Sequence, residues 1–280
     1  MSCAPPLKAA TYTLGGADRL PGQLAMLQPL ELDLLCVQSA ADWDGDHMAR
    51  VTSELGMQGR IAPSRYGGHL VTLYRPSRLK PATYNPDVTR GSVHHTVALA
   101  TFFTDDFEMI DVVHTHLAPG CPLARQREVS WLTPYAERGS EVTPRRYALC
   151  MGELEMAGVD DAEDPDIWSI IPPHEHSKHR LMREDGSYGG TDHRAMAALL
   201  QAGYVDPPVR LGMTPPRTAG YWIEQETGRR GETDRRTTHI LLSPDLAPAL
   251  EFYLVIDNES SRRLSHRLPV VVTLDPARLR

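Results

Sequence analysis

Two short spacings in this chain set acid–base side chains in pairs, His114-Thr115-His116 and Glu153-Leu154-Glu155. Residues two apart share a face of an extended strand. His114 would therefore share the face of His116 where the strand is regular. Imidazole titrates near neutrality, and a carboxylate can orient and charge it, which suits the two for moving a proton. His174-Glu175-His176-Ser177-Lys178-His179 is a further concentration. Its His-x-His and His-x-x-His spacings can chelate a metal. Pro172-Pro173 before it and polar residues after it favour a solvated loop instead.

Other groups carry less. His94-His95 lies in a strand-like run, which would send the two rings to opposite faces. Asp192-His193-Arg194 stands at the start of a helical pattern, where an acid simply favours the helix dipole. Cys121, in the loop Pro119-Gly120-Cys121-Pro122, is the most exposed thiol candidate. A lone loop cysteine is normally inert. No G-x-S-x-G elbow, P-loop, G-x-G-x-x-G fingerprint or C-x-x-C pair is present.

Elements must position these groups. Runs rich in Val, Leu, Ile and Tyr predict strands at Leu7–Leu14, Leu32–Gln38, His69–Tyr74, Val93–Phe103, Phe107–His114, Tyr147–Met151, Thr238–Leu242, Phe252–Ile256 and Val270–Leu274. Helical periodicity fits Asp18–Leu30, Asp42–Leu55, Leu123–Glu137 and Thr191–Ala202, with Asp42 and Thr191-Asp192 as caps. Thr104-Asp105-Asp106 signals a hairpin. The least regular stretches are 158–190 and 206–235, which suggest long functional loops. No composition break or repeat divides residues 1–280, so one domain is expected.

Composition narrows the partners. Hydrophobic residues are 41%, enough for a sizeable core, and no window approaches the ~18 apolar residues of a membrane span. The start of the sequence lacks a basic and apolar leader, and Cys36 and Cys150 sit in apolar runs. Both features suggest a cytoplasmic protein with reduced thiols. The net charge is −7, and the basic stretches Arg229-Arg230 to Arg235-Arg236 and Arg262-Arg263 are interrupted by acids or polar residues. Aromatic residues are 6%. Neither phosphate neutralisation nor base stacking is favoured, so no nucleic-acid partner is expected. Oligomeric state is not legible.

His114-Thr115-His116-Leu117, Gly152-Glu153-Leu154-Glu155 and Ser265-His266-Arg267-Leu268-Pro269-Val270 together resemble the T-H-L, G-D-x-N and S-D-H-x-P-V motifs of the endonuclease/exonuclease/phosphatase (DNase I-like) superfamily. Asp33–Gln38 resembles its second strand, D-x-L-x-x-Q-E, and Arg236–Leu241 its R-I-D-Y-I-L. The resemblance covers nearly the whole chain. It implies a four-layer α/β/β/α sandwich with two packed mixed sheets flanked by helices. It also implies Mg²⁺-dependent phosphoester chemistry, yet the groups for that chemistry differ. Thr13 stands where the family has Asn, Ser39 where it has the metal-binding Glu, and Glu153 and Glu155 where it has the Asp and Asn. Thr238 replaces an Asp, and His266-Arg267 replaces the Asp-His pair, or, slipped by one residue, sets His266 on the catalytic His. Mg²⁺ wants hard carboxylate oxygens in near-octahedral geometry, and Ser39 offers only a hydroxyl.

The resemblance would gather His116, Glu153, Glu155, His239, His266 and Arg267 around one pocket at the strand ends. The expectation is metal-free, cofactor-free acid–base chemistry on a small organic molecule, in a specialised biosynthetic role. His116, Glu153, Glu155 and His266 would be catalytic. Arg267, His239, His114, Ser39, Thr13, Trp168 and His176 would contact substrate, the last two from a lid spanning Trp168 to Arg180. A softer site for Zn²⁺, Fe²⁺ or Mn²⁺, a non-catalytic binding protein and a divergent phosphodiesterase stay open as alternatives.

Overall fold

The computed structural model describes residues 5–41, 43–66, 68–104, 108–163, 167–222 and 233–279. In chain order the strands and helices are β1 (Leu7–Thr13), α1 (Leu20–Leu27), β2 (Leu34–Gln38), α2 (Gly45–Leu55), β3 (Gln58–Ala62), β4 (Leu70–Tyr74), β5 (Lys80–Asn85), β6 (Thr96–Thr104), β7 (Glu108–His116), α3 (Pro122–Glu128) and β8 (Tyr147–Glu153). They continue as α4 (Ile167–Ile170), β9 (Arg180–Met182), β10 (Tyr188–Thr191), α5 (Arg194–Gln201), α6 (Pro207–Arg210), β11 (Thr238–Leu242), β12 (Leu250–Val255), α7 (Glu259–Leu264) and β13 (Val270–Leu274).

One sheet runs β12-β13-β1-β2-β4-β3 and the other β11-β8-β7-β6-β5, with β9 and β10 forming a small hairpin. Only β1–β2 and β7–β8 pair in parallel among the strands of the two main sheets. The two sheets pack face to face, and helices cover the outer face of each. Period-two alternation explains this. Leu7, Ala9, Leu34, Cys36, Ile110, Val112, Leu149, Met151, Ile240 and Leu242 share the core between the sheets. Their neighbours Ala10, Tyr12, Leu35 and Val37 meet Leu20, Leu24, Leu27 and Val51 of α1 and α2. Val113, Cys150 and Leu241 meet Val129, Met196 and Leu199 on the opposite side. The architecture is the expected α/β/β/α sandwich.

Local chemistry sets the boundaries. The α2 cap is Asp44, whose Oδ1 accepts from the Asp46 and His47 amides at 3.0 Å each, and Gly56 ends the helix at φ 64°. Asp42, the expected cap, lies outside the described residues. So do 105–107 of the expected hairpin and Arg229-Arg230. The pairing of Thr104 with Glu108 is described on either side of that turn. The single helix expected over Leu123–Glu137 is instead α3 followed by two tight turns, 129–131 and 133–136, the second opening on Pro134. Proline lacks the amide that a continuing helix needs. The last predicted helix begins at Arg194 with no side-chain cap on His193, and Asp192 accepts from the Arg194 amide instead of capping from Thr191. Among the described residues, no helix is long and apolar enough to cross a membrane.

Candidate active site

The same alternation that builds the inter-sheet core turns polar at one end of it. Following the inward positions, β1 ends in Thr11 and Thr13, β2 in Gln38, β7 in His114 and His116, and β8 in Glu153, while β11 begins with Thr238. Registers bring these ends together: Thr13 opposite Gln38, His116 opposite Glu153, and Glu153 opposite Thr238. All are buried. Gly152 lets β8 lie against β7 here, at φ 151°, since a Cβ would sit 1.8 Å from the Thr115 carbonyl oxygen.

Glu153, 1% exposed, is the hub. Its Oε2 accepts from Thr238 Oγ1 at 2.7 Å and Thr13 Oγ1 at 3.4 Å, and Arg267 Nε stands 3.3 Å away. Arg267 Nη2 reaches 3.7 Å from Glu155 Oε2, and Glu155 Oε1 lies 3.4 Å from His116 Nε2. One guanidinium therefore spans both carboxylates. Arg267 is held in place from behind, because Ser265 Oγ donates to the Thr13 carbonyl at 2.6 Å and accepts from the Arg267 amide at 3.1 Å. Glu155 takes a left-handed backbone, φ 55°, as does Ser39 at φ 56°. Such φ values are uncommon for these residue types and gather at functional turns. Burial alone would raise the Glu155 pKa, but the His116 contact and the Arg267, His116 and Arg235 charges outweigh it and hold this carboxyl below its usual range.

Glu155 also faces a narrow cleft of about 40 Å³, lined by Arg125, Trp168, His179, Asp192 and Arg235 among others. Arg235 Nη1 lies 2.7 Å from His179 Nδ1 and 3.0 Å from its Nε2. Burial first, then the Arg235 and Arg125 charges, push His179 down to about 3, so the ring is neutral at pH 7. Arg125 is buried and donates to the carbonyls of Ala118 and Lys178, tying α3 to the loop above. Arg180 lies over the rings of Trp168 and Tyr188 at 4.9 and 5.5 Å and fixes the cleft wall.

The expected site residues divide. His116, Glu153, Glu155 and Arg267 form one cluster with Thr13, and Trp168 lines the adjoining cleft. Ser39 is half-buried at the end of β2. His266 is half-buried and its carbonyl accepts from Arg267 Nη1, while the Arg267 guanidinium is the group between the carboxylates. His114 lies inside the core rather than in the cleft. It is fully buried between the sheets, with Nε2 2.7 Å from Gln38 Nε2 and Nδ1 3.0 Å from Thr72 Oγ1. His239 also stands apart from the Glu153 cluster. It alternates with Thr238, points to the outer face with Leu241, and bonds the Met156 carbonyl at 2.8 Å. His176 accepts from Arg180 and bonds the Trp168 and Ile171 carbonyls at 3.1 and 3.0 Å, stitching the loop rather than facing the cleft. His94 and His95 lie in a bend before β6, not in it, and their rings meet edge to face at 4.6 Å. His95 then stacks on His116 at 4.2 Å.

Sequence reasoning missed Arg235 and gave His179 no individual role, because loop residues carry no periodicity. It also missed the supporting role of Arg236, which is buried against Asp206 at 2.6 Å and Asp161 at 2.8 Å and anchors both loops to β11.

A magnesium ion does not fit this donor set. Glu153 Oε2 and both oxygens of Glu155 already face Arg267, His116 and two threonine hydroxyls, while Glu153 Oε1 is buried without a hydrogen-bond partner among the described residues. A divalent ion there would also meet a guanidinium. Among the described residues, no three His, Cys, Asp or Glu side chains are grouped to hold a metal.

No protein-family model matches the chain, and no curated protein matches it in sequence. Solved structures do. A 3'-5' exonuclease, NExo, from Neisseria meningitidis superposes with a TM-score of 0.66 at 17% identity, covering 96% of this chain and 100% of that one. An AP endonuclease from Archaeoglobus fulgidus gives 0.61 at 18%, covering 96% and 99%. TDP2 from D. rerio, complexed with single-strand DNA product, gives 0.62 at 14%, covering 96% and 98%. Layer order, strand-end site and these superpositions agree: the chain has the endonuclease/exonuclease/phosphatase, DNase I-like fold.

Proposed function

We propose that this protein no longer runs metal-dependent phosphoester hydrolysis and instead performs acid–base chemistry on a small organic molecule held in the cleft over Glu155. The observation that carries the reading is Arg267, whose guanidinium spans Glu153 and Glu155 at 3.3 and 3.7 Å. It supplies the positive charge that two buried carboxylates need, in the way a bound cation otherwise would. His116 then works beside a carboxylate that is ionised at neutral pH. Glu155 orients its Nε2, while Nδ1 is buried without a hydrogen-bond partner among the described residues. That imidazole can take or return a proton, with Glu155 steadying the imidazolium. Because Arg267 is engaged by the carboxylates, anion recognition falls to Arg235 in the cleft wall. Arg262 and Arg263 pair with Asp257 and Glu259, which leaves little free charge there for a phosphate backbone.

The test begins with metal analysis and with hydrolysis of bis-p-nitrophenyl phosphate and plasmid DNA, in Mg²⁺ or Mn²⁺ and in EDTA. The expected result is no stoichiometric metal and no turnover above buffer in any condition. EDTA-sensitive turnover lost in Glu153→Ala would show that a rebuilt phosphodiesterase is present. Mass spectrometry of small-metabolite pools incubated with the protein then separates enzyme from binding protein. A pool component depleted by the wild type should survive with His116→Ala, at a rate ~10²–10⁴-fold lower. Retention of a component without conversion points to a binding protein.

A further inference from the structure

A second cavity, sharing no lining residue with the cleft, lies where the open edges of the two sheets meet. It encloses about 180 Å³ and is walled by Arg60, Thr72 and Tyr74 from β3 and β4, and by Tyr84, Ala100 and Phe102 from β5 and β6. The registers explain why these side chains converge. Arg60 lies opposite Thr72, and Tyr84 opposite Ala100, so each pair shares a face of its sheet. The floor is apolar and fixed: Tyr74 and Phe102 are buried, with ring centroids 5.1 Å apart. The mouth is formed by the exposed residues Arg60, Pro81 and Thr83.

Most polar groups in this wall are already engaged. Thr72 Oγ1 meets His114 Nδ1 at 3.0 Å, and the Tyr74 hydroxyl donates to Gln58 Oε1 at 3.1 Å. Two are not. The Tyr84 hydroxyl is buried without a hydrogen-bond partner among the described residues. Burial raises its pKa, so it remains a donor at neutral pH. Arg60 forms no hydrogen bond or ion pair with any described residue, although it lies within electrostatic reach of Tyr84. Buried polar groups are nearly always satisfied, so an orphan phenol beside an uncommitted guanidinium marks a place for an acceptor. A cavity of roughly 150 Å³ takes a benzene ring.

From this juxtaposition we infer that the sheet edge holds a second ligand site for a single-ring aromatic carboxylate, its ring on Phe102 and Tyr74 and its carboxylate between Arg60 and the Tyr84 hydroxyl. The site is independent of whatever occupies the cleft over Glu155.

Benzoate is the probe, titrated into the full-length protein by calorimetry and ligand-observed NMR. Saturable binding is expected in the wild type, weakened at least about tenfold in Arg60→Gln, where a charge-assisted contact is lost. Tyr84→Phe should weaken it several-fold, and Ala100→Leu, which fills the cavity, should remove it while circular dichroism stays unchanged. Arg235→Gln, in the other cleft, should leave the affinity as it was. Failure to saturate by about 10 mM overturns the inference, and so does equal affinity in the wild type and Arg60→Gln. Loss in Arg235→Gln with retention in Ala100→Leu would place benzoate in the cleft and overturn it too.

Discussion

Arg267→Met should be destabilised by about 3–5 kcal/mol at pH 7, because the change strands two buried carboxylates. Glu153 and Glu155 are 1% and 7% exposed, and Arg267 is 3% exposed, so water screens little of their repulsion. The two threonine hydroxyls on Glu153 remain, as does His116 on Glu155, but neither brings a fixed charge. With the guanidinium gone, one carboxyl must take up a proton to stay buried. Its folded pKa then rises above the unfolded value, so the gap between variant and wild type should narrow as pH falls towards 5. A divalent ion offers the same relief. Millimolar Mn²⁺ should therefore raise the melting temperature of Arg267→Met but not of the wild type, and EDTA should reverse it. Urea titrations at pH 5, 7 and 8, with and without Mn²⁺, measure all three effects. A variant as stable as the wild type would mean that Arg267 does not neutralise this pair.

Much of the architecture was legible because burial imposes a period. Thr238–Leu242 and Val270–Leu274 fall where the sequence predicts them, since each is a continuous run buried on both faces. β7 and β8 run two residues further than expected, to His116 and Glu153. Hydrophobicity ends before the ladder does, and the polar extension carries the candidate site. β3 and β5 were not foreseen. Gln-Gly-Arg-Ile-Ala and Lys-Pro-Ala-Thr-Tyr-Asn are exposed edge strands carrying Gly59 and Pro81, which blunt further pairing and weaken the strand signal. Within the site, period two could have decided between Thr238 and His239, because Ile240 and Leu242 already mark the inward face. It could not choose between His266 and Arg267, which sit in a loop. Nor could it show that Arg235 meets His179 or that Arg60 nears Tyr84, since those contacts join segments far apart in the chain.

Acid should unfold this protein through its histidines before its carboxylates are neutralised. His95, His114 and His179 are each pushed down to about 3 by burial, helped by neighbouring His116, or by Arg235 in the case of His179. In the unfolded chain they take up protons near 6.5, whereas the folded protein resists until about 3. Between those values the unfolded state binds more protons, so stability is complete above about 6.5 and falls with pH across the window. His114 is the clearest case. It is fully buried, with Gln38 and Thr72 on its two nitrogens and His116 the charge that bears on it. Its share of the loss is on the order of a few kcal/mol. His114→Gln keeps a donor and an acceptor for Thr72 and Gln38 but cannot titrate. It should be less stable at pH 7.5, by about 1–2 kcal/mol for imperfect packing. Its stability should then fall less steeply between pH 6 and 4, by up to about 1.4 kcal/mol per pH unit. Glu155, held ionised by His116 and Arg267, adds its own loss as pH falls through 4.5, where the unfolded chain takes up its proton, but equally in both proteins, so it leaves the difference between them unchanged. Urea unfolding at half-unit intervals from pH 7.5 to 4 would show the two curves converging, and parallel curves would mean that His114 is already protonated within the core.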